Sequence, residues 1–334
     1  MYKILLDHGS GGRASHELIE KVFVPRFQNP VLNDLNDSAV FELNGARLAF
    51  TTDSYVVDPI FFPGGDIGSL AICGTVNDLA MRGACPHYLS VGFIIEEGFP
   101  VKDLEQILFS MERAAREAGI YVVTGDTKVV PKGNVDKIFI NTAGIGLIPE
   151  GIDIAGQNAR LGDAVLVSGT IGDHGLTILS KREGLSFEST LKSDAAPLNH
   201  LVREMIETGA EIHVLRDPTR GGLATTLNEI ARQSKVGIEI REEAVPIRES
   251  VAAAAEILGL DPFYIANEGK LIAILPALQA EAVLKVMKKN PYGQQAALIG
   301  EVKAENPGKV VLKTNIGGKR LMDMLAGEQL PRIC

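Results

Sequence analysis

The alternation of short apolar strands with amphipathic helices is the feature that most constrains what this chain can fold into. The pattern fills two blocks, which a polar stretch at 150–163 separates. In the first block, Asn44-Gly45 lies between two strand-like segments, which is typical of a hairpin. The second block opens with a strand at 163–168. Two such blocks predict an α+β protein made of two mixed α/β domains.

The length of 334 residues also suits two domains of roughly 150 residues each. We predict an N-terminal domain at 1–155, a C-terminal domain at 156–326 and a flexible, free tail at 327–334. Hydrophobic periodicity predicts helices at 15–24 (with Ser15 as the N-cap), 67–81, 104–115, 174–182, 198–207, 221–232, 247–258 and 278–289. It predicts strands at 38–43, 47–52, 88–95, 120–124, 136–147, 163–168, 211–215, 271–275 and 309–313.

Composition argues against several classes of protein. The formal net charge of −9 disfavours nucleic acid as the main partner, because binding phosphates requires a basic surface. No run of about 18 apolar residues is present, so no membrane span is expected. Cys73, Cys85 and Cys334 form no CxxC pair, which indicates a reducing, cytoplasmic setting. The P-loop, GxGxxG, HExxH and GxSxG signatures are absent, so any nucleotide must bind by another design.

A set of acidic residues lies in or at the ends of predicted elements. They are Asp34, Asp37, Asp53, Asp78 and Asp126, with Asn77 beside Asp78. Carboxylates in such places can converge on a hard cation such as Mg²⁺, which takes oxygen ligands from a few carboxylates and from substrate phosphates. The alternative is that Asp34 and Asp126 cap turns, and that Asp78 forms a helix ion pair with Arg82 four residues later.

Two further segments suit anions, but each also has an ordinary structural explanation. Asp217-Pro218-Thr219-Arg220-Gly221-Gly222 precedes an amphipathic run and is either a helix cap or an anion site at a helix start. Its glycine pair costs about 1 kcal/mol per residue in a helix, so something must compensate for it. Asn267-Glu268-Gly269-Lys270 opens a predicted strand and is either an exposed turn or part of a site.

The segment Pro331-Arg332-Ile333-Cys334 places a thiol on the last residue of the sequence. It is not a prenylation box, which has its cysteine four residues from the end. The thiol is either incidental or carries a group covalently to a distant site. Eight extended residues span up to about 26 Å, which is enough to enter a neighbouring cleft.

Taken together, these segments are more specific than any of them alone. The chain resembles the aminoimidazole ribonucleotide synthetase superfamily, which includes selenophosphate synthetase and thiamine-monophosphate kinase. The motifs that carry this resemblance are Asn36-Asp37-Ser38-Ala39, Thr52-Asp53, Asn77-Asp78-Leu79-Ala80-Met81-Arg82-Gly83, Thr124-Gly125-Asp126-Thr127, Asp217-Pro218-Thr219-Arg220-Gly221-Gly222 and Asn267-Glu268-Gly269. Within it, the opening His8-Gly9-Ser10-Gly11-Gly12 and the ending Pro331-Arg332-Ile333-Cys334 resemble the HypE branch, a family of hydrogenase maturation factors.

The resemblance implies a two-domain homodimer that binds ATP and Mg²⁺, with ATP largely in the N-terminal domain near the dimer interface. In that family the terminal cysteine receives a carbamoyl group from the carbamoyltransferase HypF. ATP then drives dehydration of the S-carbamoyl group to a thiocyanate. The cyano group passes to iron on the HypC–HypD complex for the nickel–iron hydrogenase centre.

The resemblance also assigns roles to individual residues. Asp37, Asp53, Asp78 and Asp126 are the expected metal ligands, and with Asn77 and Arg220 they are the expected nucleotide-binding residues. The expected catalytic residues are Cys334, Glu268, Lys128 and Asp78. Cys334 carries the carbamoyl group, and Glu268 is the base for the N–H protons. Lys128 stabilises the carbamoyl oxygen or the phosphate.

Two other functions remain open on the sequence alone. Another ATP-using member of the superfamily, such as a selenophosphate synthetase or a small-molecule kinase, is one of them. The glycine-rich opening contains His8, Ser10 and Arg13 but no cysteine, which counts against the selenophosphate synthetase. A scaffold gated by ATP, whose tail only docks onto a partner, is the other, and it predicts no tail-dependent turnover.

Overall fold

The computed structural model describes residues 3–185, 191–327 and 330–334. It contains two mixed α/β units, which confirms the predicted α+β class. One sheet ends at Leu147 and the next begins at Asp163; the division at 155/156 stays a prediction. None of the helices in the described residues is both long enough and apolar enough to span a membrane.

The N-terminal unit is a five-stranded sheet in the order β1-β2-β7-β5-β6, with two helices on one face. Its helices are α1 (Arg13–Leu18), α2 (Val24–Phe27), α3 (Ile67–Ala80) and α4 (Val101–Ala118). Its strands are β1 (Ala39–Leu43), β2 (Ala46–Tyr55), β3 (Phe61–Phe62), β4 (Gly65–Asp66), β5 (Cys85–Glu96), β6 (Tyr121–Val130) and β7 (Ile138–Leu147), of which β3 and β4 form a separate small hairpin.

Helix α3 is the central element of this unit and is buried on almost every face, as its apolar sequence predicts. It starts at a defined N-cap, because the Asp66 carboxylate accepts hydrogen bonds from the backbone N–H groups of Gly68 and Ser69, both at 2.9 Å. Its C-terminal turn carries Asn77 and Asp78 towards the second unit. The packing of α3 therefore fixes two of the expected site residues.

The C-terminal unit is a seven-stranded sheet in the order β14-β13-β10-β12-β8-β11-β9. Its strands are β8 (Asp163–Val167), β9 (Val214–Arg216), β10 (Gly237–Arg241), β11 (Ile272–Pro276), β12 (Ala297–Lys303), β13 (Val310–Lys313) and β14 (Lys319–Met322). Its helices are α5 (Asp173–Arg182), α6 (Asn199–Glu207), α7 (Gly222–Ser234), α8 (Glu249–Leu258) and α9 (Ala277–Met287).

Strand β8 shows why this sheet has helices on both faces. Val165 and Val167 pack in the core that contains residues of α7, whereas Ala164 and Leu166 pack in the core of α6 and α9. Successive side chains of a strand point to opposite faces, so a strand that is apolar throughout must be covered on both sides.

The sequence pattern missed five strands, β3, β4, β10, β12 and β14, and misplaced one cap. Ser15 lies inside α1 rather than at its start, and its hydroxyl accepts a hydrogen bond from the Gly11 N–H. The helix begins after Gly12, and a π-helical turn at Ile19–Phe23 joins it to α2.

The segment predicted to be a free tail is docked between the two units. Ile333 is buried in the core of the N-terminal unit, and Leu330 and Cys334 pack against that core. The backbone N–H of Val56 donates to the Cys334 carbonyl oxygen (2.9 Å), and that of Asp58 donates to the Arg332 carbonyl oxygen (3.2 Å). The last residues are thus docked and not free in this structure, because apolar burial and backbone pairing hold them, and the mobility of the tail stays a prediction.

Candidate active site

Four acidic side chains come close together where the two units meet. They are Asp37, which precedes β1, Asp53 in β2, Asp78 in α3, and Asp217, which directly follows β9. The Thr51 hydroxyl connects two of these segments, since it lies 2.8 Å from Asp78 Oδ2 and 3.0 Å from the Asp37 carbonyl oxygen. Among the described residues Asp78 forms no ion pair with Arg82, so that alternative is wrong.

Mutual repulsion and burial shape the ionisation of this cluster. Burial raises the pKa of Asp78 well above its ordinary value, and the charges of Asp53 and Asp217 add to that effect. Burial also raises the pKa of Asp217 to about 8, with a further contribution from Asp37. The cluster therefore contains too few positive charges to balance its carboxylates.

Arg216 supplies part of that positive charge. Burial raises the pKa of Asp37 to about 6, and Arg216, whose Nε lies 2.8 Å from Asp37 Oδ1, opposes the shift. The same guanidinium contacts Glu229 through Nη2 at 2.6 Å. The Arg216 guanidinium thus holds Asp37 in one orientation, and Glu229 fixes that guanidinium in place.

The donor set of this cluster fits a hard divalent cation. Oδ2 of Asp37 is buried and has no hydrogen-bond partner among the described residues, so it is available to a ligand. Carboxylate oxygens are the donors that Mg²⁺ takes, together with phosphate oxygens. Within the described residues no three His, Cys, Asp or Glu side chains are already spaced to hold a metal. A cation here would therefore complete its coordination with oxygens of a bound phosphate.

Glu268, Arg220 and the docked Cys334 form the second part of the site. Glu268 is buried, and its Oε1 has no hydrogen-bond partner among the described residues. Burial raises the pKa of Glu268 well above its ordinary value, Asp217 adds to the shift, and Arg220 opposes it. The charge interaction with Cys334 is the largest influence that raises the pKa of Arg220, whose Nη1 donates to the Gly9 carbonyl oxygen at 2.7 Å.

The docked position suppresses ionisation of the thiol. Burial raises the pKa of Cys334 to about 12, and the nearby Arg220 only partly offsets this effect. A thiol attacks as its thiolate, so the docked Cys334 is a poor nucleophile at neutral pH.

The structure does not bring Asp126 and Lys128 to this cluster within one chain. They lie on β6, which runs on past the predicted strand end, and they pair with each other at 2.5 Å on an exposed edge. In the sheet register Asp53 and Gly125 are separated by β7 and β5, which makes three strand spacings of about 4.8 Å, or roughly 14 Å. Asp126 therefore cannot share a metal with Asp53 of its own chain.

Asn77 has a role that differs from the expected nucleotide contact. Its side-chain amide donates to the carbonyl oxygens of Ala196 (3.0 Å) and Glu268 (3.3 Å), and its Oδ1 accepts from the Leu198 N–H (2.8 Å). These bonds use both N–H groups and one acceptor position of the amide, and they connect α3 to the segment that carries Glu268. Asn77 thus fixes the two halves of the site relative to each other.

The glycine pair at 221–222 is explained by the conformation and packing of the backbone, and the anion site stays a prediction. Both glycines have positive φ angles, 79° and 63°, which other residues rarely adopt. A Cβ on Gly222 would lie 2.7 Å from the Phe263 carbonyl oxygen. The start of α7 therefore requires glycine for close packing. This requirement explains why the glycine pair is present despite its cost in a helix.

Sequence reasoning overlooked several residues of this site. The pattern leaves the segment of Asp217 open between a helix cap and an anion site and does not predict a carboxylate of the acidic cluster, and no pattern singles out His174 or Arg182, which contact the docked tail. The available signal for Asp217 was its place directly after a strand, the same signal that the other acidic residues gave. His174 and Arg182 lie eight residues apart on α5, a spacing that carries no chemical signature.

Comparison with known proteins identifies relatives along nearly the whole chain. Residues 35–148 match the N-terminal domain of AIR synthase related proteins, and residues 160–313 match the C-terminal domain. The chain is 57% identical over 327 residues to the carbamoyl dehydratase HypE of Azotobacter vinelandii, covering 98% of this chain and 96% of that protein.

Solved structures agree with that finding. A crystal structure of the hydrogenase maturation protein HypE in complex with ATP is 58% identical, with a TM-score of 0.84 over 99% of this chain and 100% of that one. HypE in a crystal structure of the HypE–HypF complex is 51% identical, with a TM-score of 0.88 over 92% of this chain and 99% of that one.

Proposed function

Since the chain belongs to the AIR synthase related family, in its HypE branch, we propose that it is an ATP-dependent carbamoyl dehydratase. It converts an S-carbamoyl group on its own Cys334 to a thiocyanate, which supplies the cyanide ligand of the iron in nickel–iron hydrogenase. In reaction type it is a hydro-lyase. The observation that supports this most directly is the docked Cys334, whose thiol lies among Arg220, Glu268 and the acidic cluster.

The chemistry follows from the need to remove oxygen from a carboxamide. ATP makes the carbamoyl oxygen a leaving group by transferring its γ-phosphoryl group to it, which depends on positioning and on neutralising charge. Mg²⁺ held by Asp37, Asp53 and Asp78, with Asp217 beside them, would neutralise phosphate charge when bound. Arg220 serves the same purpose at the thiol end of the cleft.

Glu268 is the residue that takes the N–H protons released as the nitrile forms. Its free Oε1 is buried next to the thiol end of the cleft, within the same group of interacting charges. A general base must be ionised, and the raised pKa of Glu268 is opposed by Arg220.

The proposed cycle moves the tail between two positions. HypF loads the carbamoyl group while Cys334 is outside the cleft, and the tail then docks for dehydration; a related HypE has been solved in complex with HypF. The cyano group afterwards passes to the HypC–HypD complex. The high pKa of the docked thiol supports this order, because it keeps the sulfur unreactive until the tail is released.

A homodimer would explain the exposed apolar edge of the first sheet. On β6, Tyr121, Val122, Val123 and Val129 are exposed, and the edge of that strand has no neighbour within the described part of the chain. A long apolar edge of this kind is usually covered. We infer that a second copy covers it, and that Lys128 and Asp126 act at the phosphate site of the partner, since their own site is out of reach.

The first prediction tests this interface. The substitution Val123→Asp should convert the dimer to a monomer and lower ATP turnover at least about tenfold, because a buried unpaired charge opposes association. Analytical ultracentrifugation measures the first effect. The matched control is Leu278→Asp, which introduces the same charge at a fully exposed leucine on α9 and should leave the dimer intact. A Val123→Asp dimer as tight as the wild type would contradict the assignment.

The second prediction tests the reaction by intact mass spectrometry. Incubation with HypF and its carbamoyl donor should add about 43 Da to the wild type, and ATP should then remove about 18 Da. The variant Cys334→Ala should show neither change, although Cys73 and Cys85 remain. Cys73 is buried in α3, and burial raises its pKa, so it should stay unmodified. Loading of the Cys334→Ala variant would contradict the proposal.

A further inference from the structure

Residues outside the tail form hydrogen bonds with the main chain of the last four residues. The carbonyl oxygens of Pro331, Arg332 and Ile333 accept hydrogen bonds from side chains of α5. The backbone N–H groups of Val56 and Asp58 bind carbonyl oxygens of the same segment. These contacts depend on the backbone of the final residues and not on their covalent connection to the chain before them.

Arg182 is the principal contact to this main chain. Its Nη1 donates to the Pro331 carbonyl oxygen at 2.6 Å, and its Nη2 donates to the Arg332 carbonyl oxygen at 2.8 Å. Its Nε also donates to the Asp58 carbonyl oxygen at 2.8 Å, which fixes the guanidinium against the N-terminal unit. A planar fork held in this way presents two donors in a fixed geometry to consecutive carbonyls, whereas the ammonium of a lysine lacks that fixed geometry.

His174 holds the next carbonyl. Its Nε2 lies 2.7 Å from the Ile333 carbonyl oxygen, and a carbonyl oxygen only accepts, so this nitrogen bears the proton. Its Nδ1 lies 2.7 Å from the Ser193 hydroxyl, which then donates to it. Burial lowers the pKa of His174, in agreement with a neutral ring of that tautomer. The ring is therefore fixed as a donor directly before the thiol-bearing residue.

Two side chains of the tail add sequence preference. Ile333 is 3% exposed and packs in the core of the N-terminal unit. The Arg332 guanidinium donates to the Val56 carbonyl oxygen (2.8 Å) and pairs with Asp136 (2.6 Å). The cleft thus recognises an arginine and an apolar residue at the two positions before the cysteine.

We propose that this cleft is a peptide-binding site that accepts, in trans, a free peptide ending in Pro-Arg-Ile-Cys, with Arg182 and His174 as the residues that position its thiol end. A second copy of this chain carries such a peptide. The inference deepens the proposed function, since it rests on that function for what happens to the bound thiol, but peptide binding itself is measured separately.

The test uses the full chain with its own tail ejected. The substitution Ile333→Asp places a carboxylate where the apolar pocket lies, so the tail should leave the cleft. A fluorescein-labelled Leu-Pro-Arg-Ile-Cys peptide should then bind saturably, as measured by anisotropy, and at least about tenfold more tightly than to the wild type, whose own tail competes. The same peptide with aspartate in place of isoleucine should bind at least about tenfold more weakly.

A second substitution identifies the positioning residue. Adding Arg182→Lys to Ile333→Asp should weaken peptide binding at least about tenfold, because two charge-assisted hydrogen bonds are lost. Lys181→Gln, a change at the exposed neighbour on α5, should leave the affinity within about twofold, as surface charges contribute little. Absence of peptide binding to the Ile333→Asp protein, or unchanged affinity after Arg182→Lys, would overturn the inference.

An S-carbamoylated peptide separates this inference from the proposed function. With ATP, the carbamoyl oxygen bonds to the γ-phosphorus as the bond to ADP breaks. The C–O bond then breaks, the nitrogen loses two protons, and S-cyano peptide, ADP and phosphate result, with a peptide mass lower by about 18 Da. A peptide that binds but is not dehydrated supports the peptide site and contradicts the proposed reaction. A peptide that fails to bind, while the wild-type tail is dehydrated, overturns the peptide site alone.

Discussion

ATP turnover should fall at least about a thousandfold when Asn replaces Asp78, while the protein remains folded and melts at the same or a higher temperature. Asn keeps the side-chain volume and can still accept the hydrogen bond from the Thr51 hydroxyl, but it removes the charge that a divalent cation needs. Turnover is measured as phosphate release from the carbamoylated protein, and the fold is measured by thermal unfolding.

The expected gain in stability follows from the sign of the pKa shift. The pKa of Asp78 is higher in the folded protein than in the unfolded chain, so folding at neutral pH must either bury a charge or take up a proton. This free-energy cost is absent at a pH below the ordinary pKa of Asp and present at a pH above it. The Asn side chain has no charge to bury, so the substitution removes the cost. A residue that lowers stability while it supports activity is typical of a functional site.

A matched control removes the same charge elsewhere. Asp153→Asn affects an exposed carboxylate that contacts Arg47 and Asn158 at the surface, and it should leave both turnover and melting temperature nearly unchanged. Wild-type turnover in the Asp78→Asn variant would show that Asp78 is not part of the metal-binding set. A melting temperature lowered by many degrees would instead indicate a structural role for this carboxylate.

Much of the fold could be predicted because local sequence determines it. The Asn44-Gly45 turn and the apolar run at 67–81 gave a hairpin and a buried helix, and the structure confirms both as β1-β2 and α3. Strand β14 was missed because its residues are mostly exposed and carry charges, so they show no apolar alternation. Such strands are fixed by pairing with neighbours, which hydrophobic periodicity does not report.

The candidate site was predictable only where an acidic residue lies in or at the end of a predicted strand or helix. Asp37, Asp53 and Asp78 come together as expected, because β2 and α3 are packed against each other and Thr51 connects their carboxylate segments. The distance between Asp53 and Asp126 depends on strand order in the sheet, which the sequence does not show. Docking of the tail depends on contacts between residues more than a hundred positions apart, such as His174 with Ile333.

Dehydration should slow by about a hundredfold to ten-thousandfold when Gln replaces Glu268, while loading of Cys334 proceeds at the wild-type rate. Gln is similar in size and can fill the same buried position, but its amide cannot take the N–H proton of the carbamoyl group. Loading takes place on the released tail and does not involve the cleft. Intact mass spectrometry after HypF and then ATP should therefore show the gain of about 43 Da without the loss of about 18 Da.

The pH dependence of the single-turnover rate gives a separate test of Glu268 as the base. A base acts when it is deprotonated, and the pKa of Glu268 lies above the ordinary range for glutamate, so the wild-type rate should rise with pH through that raised pKa. The residual rate of the Glu268→Gln variant should lack this rise. Glu281→Gln, at an exposed glutamate on α9, is the matched control and should keep both the rate and its pH profile. Normal dehydration by Glu268→Gln, or an unchanged pH profile, would assign the proton transfer to another group, and the unpartnered Oε1 would then have no role in the reaction.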